Sequence, residues 1–340
     1  MPATIHAFAA PAAGQPLVPH EFTLGPLGGE QVEIAVESCG ICHSDLSMID
    51  NAWGMSAYPL VPGHEIVGRV VDVGLQVKRI KLGDRVGVGW NSSSCGCCPS
   101  CMSGAHNLCQ TTEGTIVGRP GGFATRVRAQ WTWAAPLPEA LTPSTAGPLF
   151  CGGITVFSPM VEFGVRPTDR VGVIGIGGLG HLALKFLRAW GCEVTGFTSS
   201  AGKRDEALGL GAHRTVDSRD PKALAAEAGS FDFILNTTNV ALDWNAYVAA
   251  LKPKGRLHIV GAVLEPLGVA AFPLISGQKS ISGSPLGSPA TVDTMLAFCA
   301  RHGIAPVTES FPMSRVNEAL EHLRHGRARY RIVLENDLGG

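Results

Sequence analysis

The sequence predicts an α/β protein with a doubly wound parallel sheet. Three observations carry this: a strand–glycine turn–helix–strand unit beginning at Arg170, a continued alternation of apolar strands and helices after it, and a length of 340 residues at 45% hydrophobic and 16% charged, enough for two domains. VGVIG, from Val171, is a short apolar strand. Gly175-Ile-Gly-Gly-Leu-Gly180 follows as G-x-G-x-x-G. HLALKFLRAWG then places apolar residues at helical spacing and stops at Gly191, and CEVTGF is the second strand. KALAAEAG and WNAYVAALKPKG read as helices, and FDFILNTT and RLHIVGAV as strands. The 43 glycines and 23 prolines of the whole chain fit tight turns between short strands. There is no internal repeat or low-complexity tract.

The formal net charge of -1, without a long run of one sign, argues against a general attraction to nucleic acid or to an acidic membrane. MPATIHAFAAPAAG lacks the basic start, apolar core and cleavage site of a signal peptide. No uninterrupted apolar run reaches the roughly 18 residues of a membrane span. A soluble cytoplasmic protein is the expectation. In a reducing compartment, clustered cysteines serve as metal ligands or catalysts more often than as disulfides.

SCGCCPSCMSGAHNLC holds five cysteines. Cys95, Cys98 and Cys101 stand three apart, and Cys109 follows after seven intervening residues. Such spacing lets thiolates from one turn reach one ion, and a zinc closed by four protein ligands holds structure. Gly96, Pro99 and Gly104 suit a loop bent round an ion. A disulfide pair or a thiol redox site is the alternative. Cys97 breaks the spacing and is expected to point away, a bystander to four ligands.

A second, dispersed set is Cys42, His64-Glu65 and Cys151. Taken alone, a His or a buried Cys is more often core than ligand. Together they supply two thiolates, an imidazole and a carboxylate from distant segments, which suits a catalytic zinc with an exchangeable position.

Within a βαβ unit the glycine run is a dinucleotide fingerprint: it lets backbone approach the pyrophosphate, and the helix N-terminus favours that charge. A protein that binds NAD usually carries Asp or Glu at the end of the second strand. This chain has Thr198, Ser199 and Ser200, then Lys203 and Arg204. Hydroxyls and cations suit a 2'-phosphate, so NADPH is expected over NADH; the other reading is that the two cations solvate a helix start.

GICHSD, YPLVPGHEIVGRV, the four-cysteine spacing, CGGITVFSP, GIGGLGH and RYRIVL occur in an order that resembles zinc-dependent medium-chain alcohol dehydrogenases, in particular the cinnamyl-alcohol-dehydrogenase branch and its bacterial NADPH-dependent aldehyde reductases. The resemblance implies a GroES-like β-barrel catalytic domain from residues 1–147 and 281–340, with a structural-zinc loop at 91–112. It places an inserted Rossmann domain at 148–280. It also implies a homodimer, two zinc ions per chain, NADP(H) as cofactor, and a small aldehyde or alcohol as substrate.

By the same resemblance, Cys42, His64 and Cys151 hold the catalytic zinc, with Glu65 as a swinging fourth ligand. Ser44 hands a proton to the alkoxide, Asp45 fixes the zinc-bound His, and His43 meets the cofactor pyrophosphate. The cofactor set is Gly175, Gly177, Gly178, Leu179, Gly180, Thr198, Ser199, Ser200 and Lys203, with Thr155 and Val260. Many relatives end the proton relay in a His five residues after the first zinc Cys. Ser47 stands there, and serine is no neutral-pH base. Trp53, Trp90, Pro285 and Leu286 are the candidate substrate pocket. Pro285 and Leu286 replace the bulky aromatic of the plant lignin enzymes, so a broad aldehyde range is expected. The competing readings are a polyol or secondary-alcohol dehydrogenase, a non-catalytic zinc protein and a nucleic-acid zinc module. Filled ligand and glycine positions oppose the second, and near-neutral charge opposes the third.

Overall fold

A computed structural model describes residues 4–339. The chain forms two compact units, one from residues 1–154 and 286–340, the other from 155–285. These boundaries lie beyond the expected 147/148 and 280/281, for two reasons. The first crossing falls inside the continuous helix Gly152–Glu162, and the expected return at 280/281 falls inside the strand Ser280–Gly283, which belongs to the second unit's sheet.

In the first unit a seven-stranded sheet runs, by position, Thr308–Pro312, Arg331–Glu335, Gln31–Ile41, Glu65–Val73, Arg85–Val88 and Ala135–Pro136. The long strand Gln31–Ile41 is the hub. Its first half pairs with Arg126–Gln130, its second half with Arg331–Glu335, and Glu65–Val73 pairs along its length. Register shifts between Glu33 and Ile34 and between Val36 and Ser38 let one strand serve all these neighbours, as β-bulges do. Val32, Ile34, Ile41, Ile66, Phe123, Val127 and Ile332 fill the core beneath it.

The second unit has six parallel strands in the order Arg214–Asp217, Glu193–Thr198, Arg170–Ile174, Phe231–Asn236, Leu251–Ile259 and Ser280–Gly283. That is the doubly wound order the sequence predicts, and the direction of growth reverses between Arg170–Ile174 and Phe231–Asn236. Ligands of such sheets bind beyond the strand ends at this reversal. Helix Gly180–Trp190 buries Leu182, Ala183, Leu184, Phe186 and Leu187 and ends at Gly191 with φ 108°. The helix read as WNAYVAALKPKG stops at Ala250, because Pro253 drives the residue before it into extended backbone, and KPKG joins the next strand. Among the described residues no helix is long and apolar enough to cross a membrane.

Candidate functional site

The first unit gathers Cys42, His64, Glu65 and Cys151, all buried, with one ligand atom of each within 4.8 Å of the others. Four local structures bring them together. Cys42 caps the helix His43–Ile49, and its N–H donates to Asp45 Oδ2 at 2.9 Å. His64 follows Gly63, whose φ of 99° and close approach to Phe123 leave no room for a side chain. Glu65 opens the strand Glu65–Val73, and Cys151 ends a 3-10 turn just before the helix Gly152–Glu162.

Asp45 organises the group. Its Oδ1 accepts from Gly63 N and lies 2.9 Å from His64 Nδ1, which leaves Nε2 aimed at Cys151 Sγ at 3.3 Å. Burial works against the charged imidazole, but the Asp45 carboxylate outweighs it and holds the His64 pKa well above the ordinary value. The thiol of Cys151 donates toward Cys42 at 3.9 Å. That bond, with help from Arg331 and His64, holds the Cys42 pKa well below the usual thiol range, while Cys151 is raised.

Arg331 went unremarked in the sequence beyond its place in RYRIVL. It is 5% exposed and its guanidinium contacts Glu65. Burial raises the Glu65 pKa to about 7 against the pull of that cation. Glu65 Oε2 is buried without a hydrogen-bond partner. Two thiols, an imidazole and a carboxylate with an unspent acceptor suit a thiophilic divalent ion, zinc foremost.

Round this cluster the other candidates separate. Ser44 Oγ lies 3.8 Å from Cys42 Sγ, whereas His43 is exposed on the same helix. The Trp90 ring meets His64 edge-on at 5.0 Å, and Trp53 meets Trp90 at 5.8 Å. Trp90 and Leu286 line one narrow cleft of about 20 Å³, too small by itself for a substrate. Trp53 is not part of that cleft, and Pro285 belongs to the other unit.

Cys95, Cys98, Cys101 and Cys109 also converge within 4.8 Å, and Cys97 is outside the set. Cys98 caps a short helix that begins at Pro99, so Cys101 N donates to Cys98 Sγ at 3.5 Å. Backbone donors at Cys97 and Cys98 and the Cys109 thiol hold the Cys95 pKa down to about 5, while burial pushes Cys101 up to about 12. A four-thiol cage of this kind fits a closed zinc site.

In the second unit the turn after Arg170–Ile174 has the form a dinucleotide needs. Gly175 has φ 86°, and a Cβ on Gly180 would stand 1.9 Å from the Gly175 carbonyl oxygen, so neither tolerates a side chain. Gly177 faces open space, with no atom within 4 Å of a built Cβ, and offers bare backbone to a ligand. Gly178 and Leu179 complete the turn, and Gly180 begins the helix. Thr198 ends its strand, and Ser199 and Ser200 are exposed beyond it. Lys203 Nζ donates to Ile176 O at 3.0 Å, which places its charge at the glycine turn. Arg204 is paired instead with Asp217 at 2.9 Å. Val260 N donates to Asn236 O at 3.0 Å beside the strand reversal, and Thr155 is buried in the helix Gly152–Glu162.

Two family models match the chain: the alcohol dehydrogenase GroES-like domain over residues 28–139 and the zinc-binding dehydrogenase over residues 178–301. Aldehyde reductase AdhA of Synechocystis sp. is 57% identical over 332 residues, 98% of this chain and 99% of that protein. A cinnamyl alcohol dehydrogenase of Sorghum bicolor, SbCAD4, superposes with a TM-score of 0.93 at 40% identity over 98% of each chain. The CAD of Helicobacter pylori, solved with NADP(H), superposes with a TM-score of 0.90 at 30% identity over 98% of this chain and 99% of that one.

Proposed function

The chain belongs to the zinc-dependent medium-chain alcohol dehydrogenases, and from that premise we propose that it works as an NADPH-preferring aldehyde reductase of broad aliphatic and aromatic range. Membership carries the reaction class, the interconversion of aldehyde and alcohol with zinc and a nicotinamide cofactor. The cofactor preference rests on one observation: the second strand ends in Thr198, Ser199 and Ser200 without an acid, and Lys203 holds its ammonium on the Ile176 carbonyl of the glycine turn. A 2'-phosphate finds hydroxyl donors and a cation there, where a 2'-hydroxyl would find no carboxylate.

Cys42, His64 and Cys151 would hold the catalytic zinc, which supplies a Lewis acid for the carbonyl oxygen, while NADPH supplies the hydride. Asp45 keeps the proton of His64 on Nδ1 and presents Nε2 as a ligand. Glu65, steadied by Arg331, is the reserve fourth donor. Ser44, beside Cys42, delivers the proton the product alcohol needs. Ser47 is not a base, so the relay behind Ser44 ends in solvent, the cofactor ribose or His43. Trp90 and Trp53 form an apolar wall that leads toward His64. Cys95, Cys98, Cys101 and Cys109 would hold the structural zinc. The enzyme acts as a cytoplasmic homodimer on this reading, which light scattering and cell fractionation test.

Initial rates of cofactor oxidation by zinc-replete protein, with straight-chain and aromatic aldehydes and NADPH against NADH, decide the proposal. The expected result is a kcat/KM at least about tenfold higher with NADPH, the factor worth about 1.4 kcal/mol of phosphate contact. Equal use of the two cofactors would remove the basis for the preference. Turnover confined to secondary alcohols or polyols would remove the aldehyde reading.

A further inference from the structure

The strand Arg126–Gln130 reads RVRAQ and alternates: Val127 and Ala129 turn into the core, Arg126 and Arg128 to the other face. In the antiparallel register Arg128 stands opposite Glu33 and Arg126 opposite Ala35, so both cations flank one carboxylate. Glu33 answers both, at 2.8 Å from Arg126 Nη1 and 2.7 Å from Arg128 Nη2. A third cation joins them from a separate loop. Arg119 donates to Ser92 Oγ at 2.7 Å and to the backbone carbonyl of Arg128.

The charges of this cluster do not close. Three guanidiniums less the one buried carboxylate leave two positive charges. Among the described residues the one other carboxylate paired with any of the three is Glu113, 3.6 Å from Arg119. Its side chain is 60% exposed, so solvent screens it. Asp72, opposite Glu33 on the neighbouring strand, is exposed and accepts from Val73 N. Donors are unspent as well. A guanidinium carries five N–H groups in a planar fork. Arg126 spends one of them, on Glu33, and Arg119 spends two, both on neutral oxygens. Burial draws the Arg119 pKa below the ordinary arginine value against the pull of Glu113.

All three arginines line a cleft of about 280 Å³, together with Phe22, Leu24, Pro26 and Pro120. Phe22 and Leu24 pack on the core beneath, which fixes the apolar lining. We propose that this cleft is a binding site for a phosphate monoester carried on a small apolar body. Near neutral pH such a group carries about -1.5 to -2, which matches the excess, whereas a carboxylate would meet half of it. Its oxygens accept forked guanidinium donors, and the apolar body covers Phe22 and Leu24. The volume lies near the lower end for small-molecule pockets, room for about one ring or a short chain. The cleft is separate from the glycine turn: its lining falls within residues 22–128 of the first unit, while Gly175 and Lys203 belong to the second.

The test is calorimetry on the zinc-loaded full chain with NADP+ in excess, so that the dinucleotide site is filled, and with phenyl phosphate as the probe at constant ionic strength. The expected result is one saturable site per chain with a Kd on the order of 0.1 mM. Arg126→Gln alters a partly exposed residue and should keep the wild-type melting temperature and aldehyde turnover. It should weaken the probe at least about tenfold, the loss of one hydrogen bond to a charged group. Arg126→Lys, with the charge but not the fork, should recover only part of that. Benzoate, with the ring and less charge, and inorganic phosphate, with the charge and no ring, should each bind more weakly than phenyl phosphate. A measurement without any substitution stands beside these: phenyl phosphate should slow the labelling of Arg126 by phenylglyoxal, located by peptide mass spectrometry. Wild-type affinity in Arg126→Gln, uptake that does not saturate, or labelling of Arg126 unchanged by the probe would overturn the site. Benzoate or inorganic phosphate held as tightly as phenyl phosphate would overturn the ligand class.

Discussion

The Asp45 carboxylate and the His64 imidazole meet at 2.9 Å, and neither side chain is open to solvent. A buried carboxylate is costly unless its lone pairs are used. Asp45 uses them on Cys42 N, Gly63 N and His64 Nδ1, and so ties the helix start, the glycine turn and the ligand together. Charge and geometry are met by the same three contacts.

Asp45→Asn halves the acceptors and removes the charge. Zinc affinity at the buried cluster, or kcat/KM at saturating zinc, should fall by roughly 10–100-fold, as for other carboxylates behind metal-bound histidines. Competition with a fluorescent zinc chelator reads the affinity directly. An unchanged affinity and rate would show that His64 is oriented by packing alone.

Cys151→Ser removes a ligand rather than its support. The expected loss in kcat exceeds about a hundredfold, beyond that of a supporting residue, with one zinc lost and the circular dichroism spectrum unchanged. Full turnover in this variant would mean that the metal is held without Cys151.

Cys98→Ser should act on stability. Loss of the lobe's ion removes a cross-link among Cys95, Cys101 and Cys109, and the melting temperature should drop by on the order of 5 °C. Cys97→Ser under reducing conditions should melt with the wild type. The pair of melting curves, with zinc counted for each, separates ligand from bystander.

Lys203→Ala should raise the KM for NADPH roughly tenfold, the cost of one hydrogen bond to a charged group, and that for NADH less than about twofold. Parallel increases for both cofactors would point instead to disruption of the glycine turn through the contact of Lys203 with Ile176.

His258 offers a pH test. Burial, aided by Arg256, lowers its pKa from 6.5 to about 4, and its ring nitrogens bridge Ser282 and Ser284 at 2.9 Å each. Between those two values the unfolded chain binds a proton that the folded one refuses, so stability rises with pH there and is lost on acidification. From pH 7.5 down to 5 this one residue should cost on the order of 2 kcal/mol. Urea unfolding of His258→Gln at the two pH values should show a correspondingly smaller acid loss. An identical loss would place the acid sensitivity elsewhere.

The glycine turn and the cysteine lobe could be read because their geometry is local. Gly175 to Gly180 and Cys95 to Cys109 each close within one turn or loop, so spacing carries the shape. The buried cluster was reached through the motifs of a family rather than through spacing, since Cys42 and Cys151 lie 109 residues apart. Arg331 escaped that reading. Its one local signal is a cation directly before the apolar run Ile332–Leu334 of the strand RIVLE, and its partner Glu65 is far away in sequence. The expected boundary at 280/281 cuts the strand Ser280–Gly283 for a related reason: a short, polar edge strand has little pattern of its own and is defined by its pairing with Leu251–Ile259.

The sequence by itself determined the fold class, the family, and the donors within each local turn, because residue type and short spacing set backbone and ligand chemistry directly. The tertiary structure alone decided that Asp45 serves three partners, that Arg331 holds Glu65, and that Arg204 is spent on Asp217 while Lys203 reaches the glycine turn. Those are facts of which side chains share a small volume, and only the packed chain brings together groups that covalent order keeps apart.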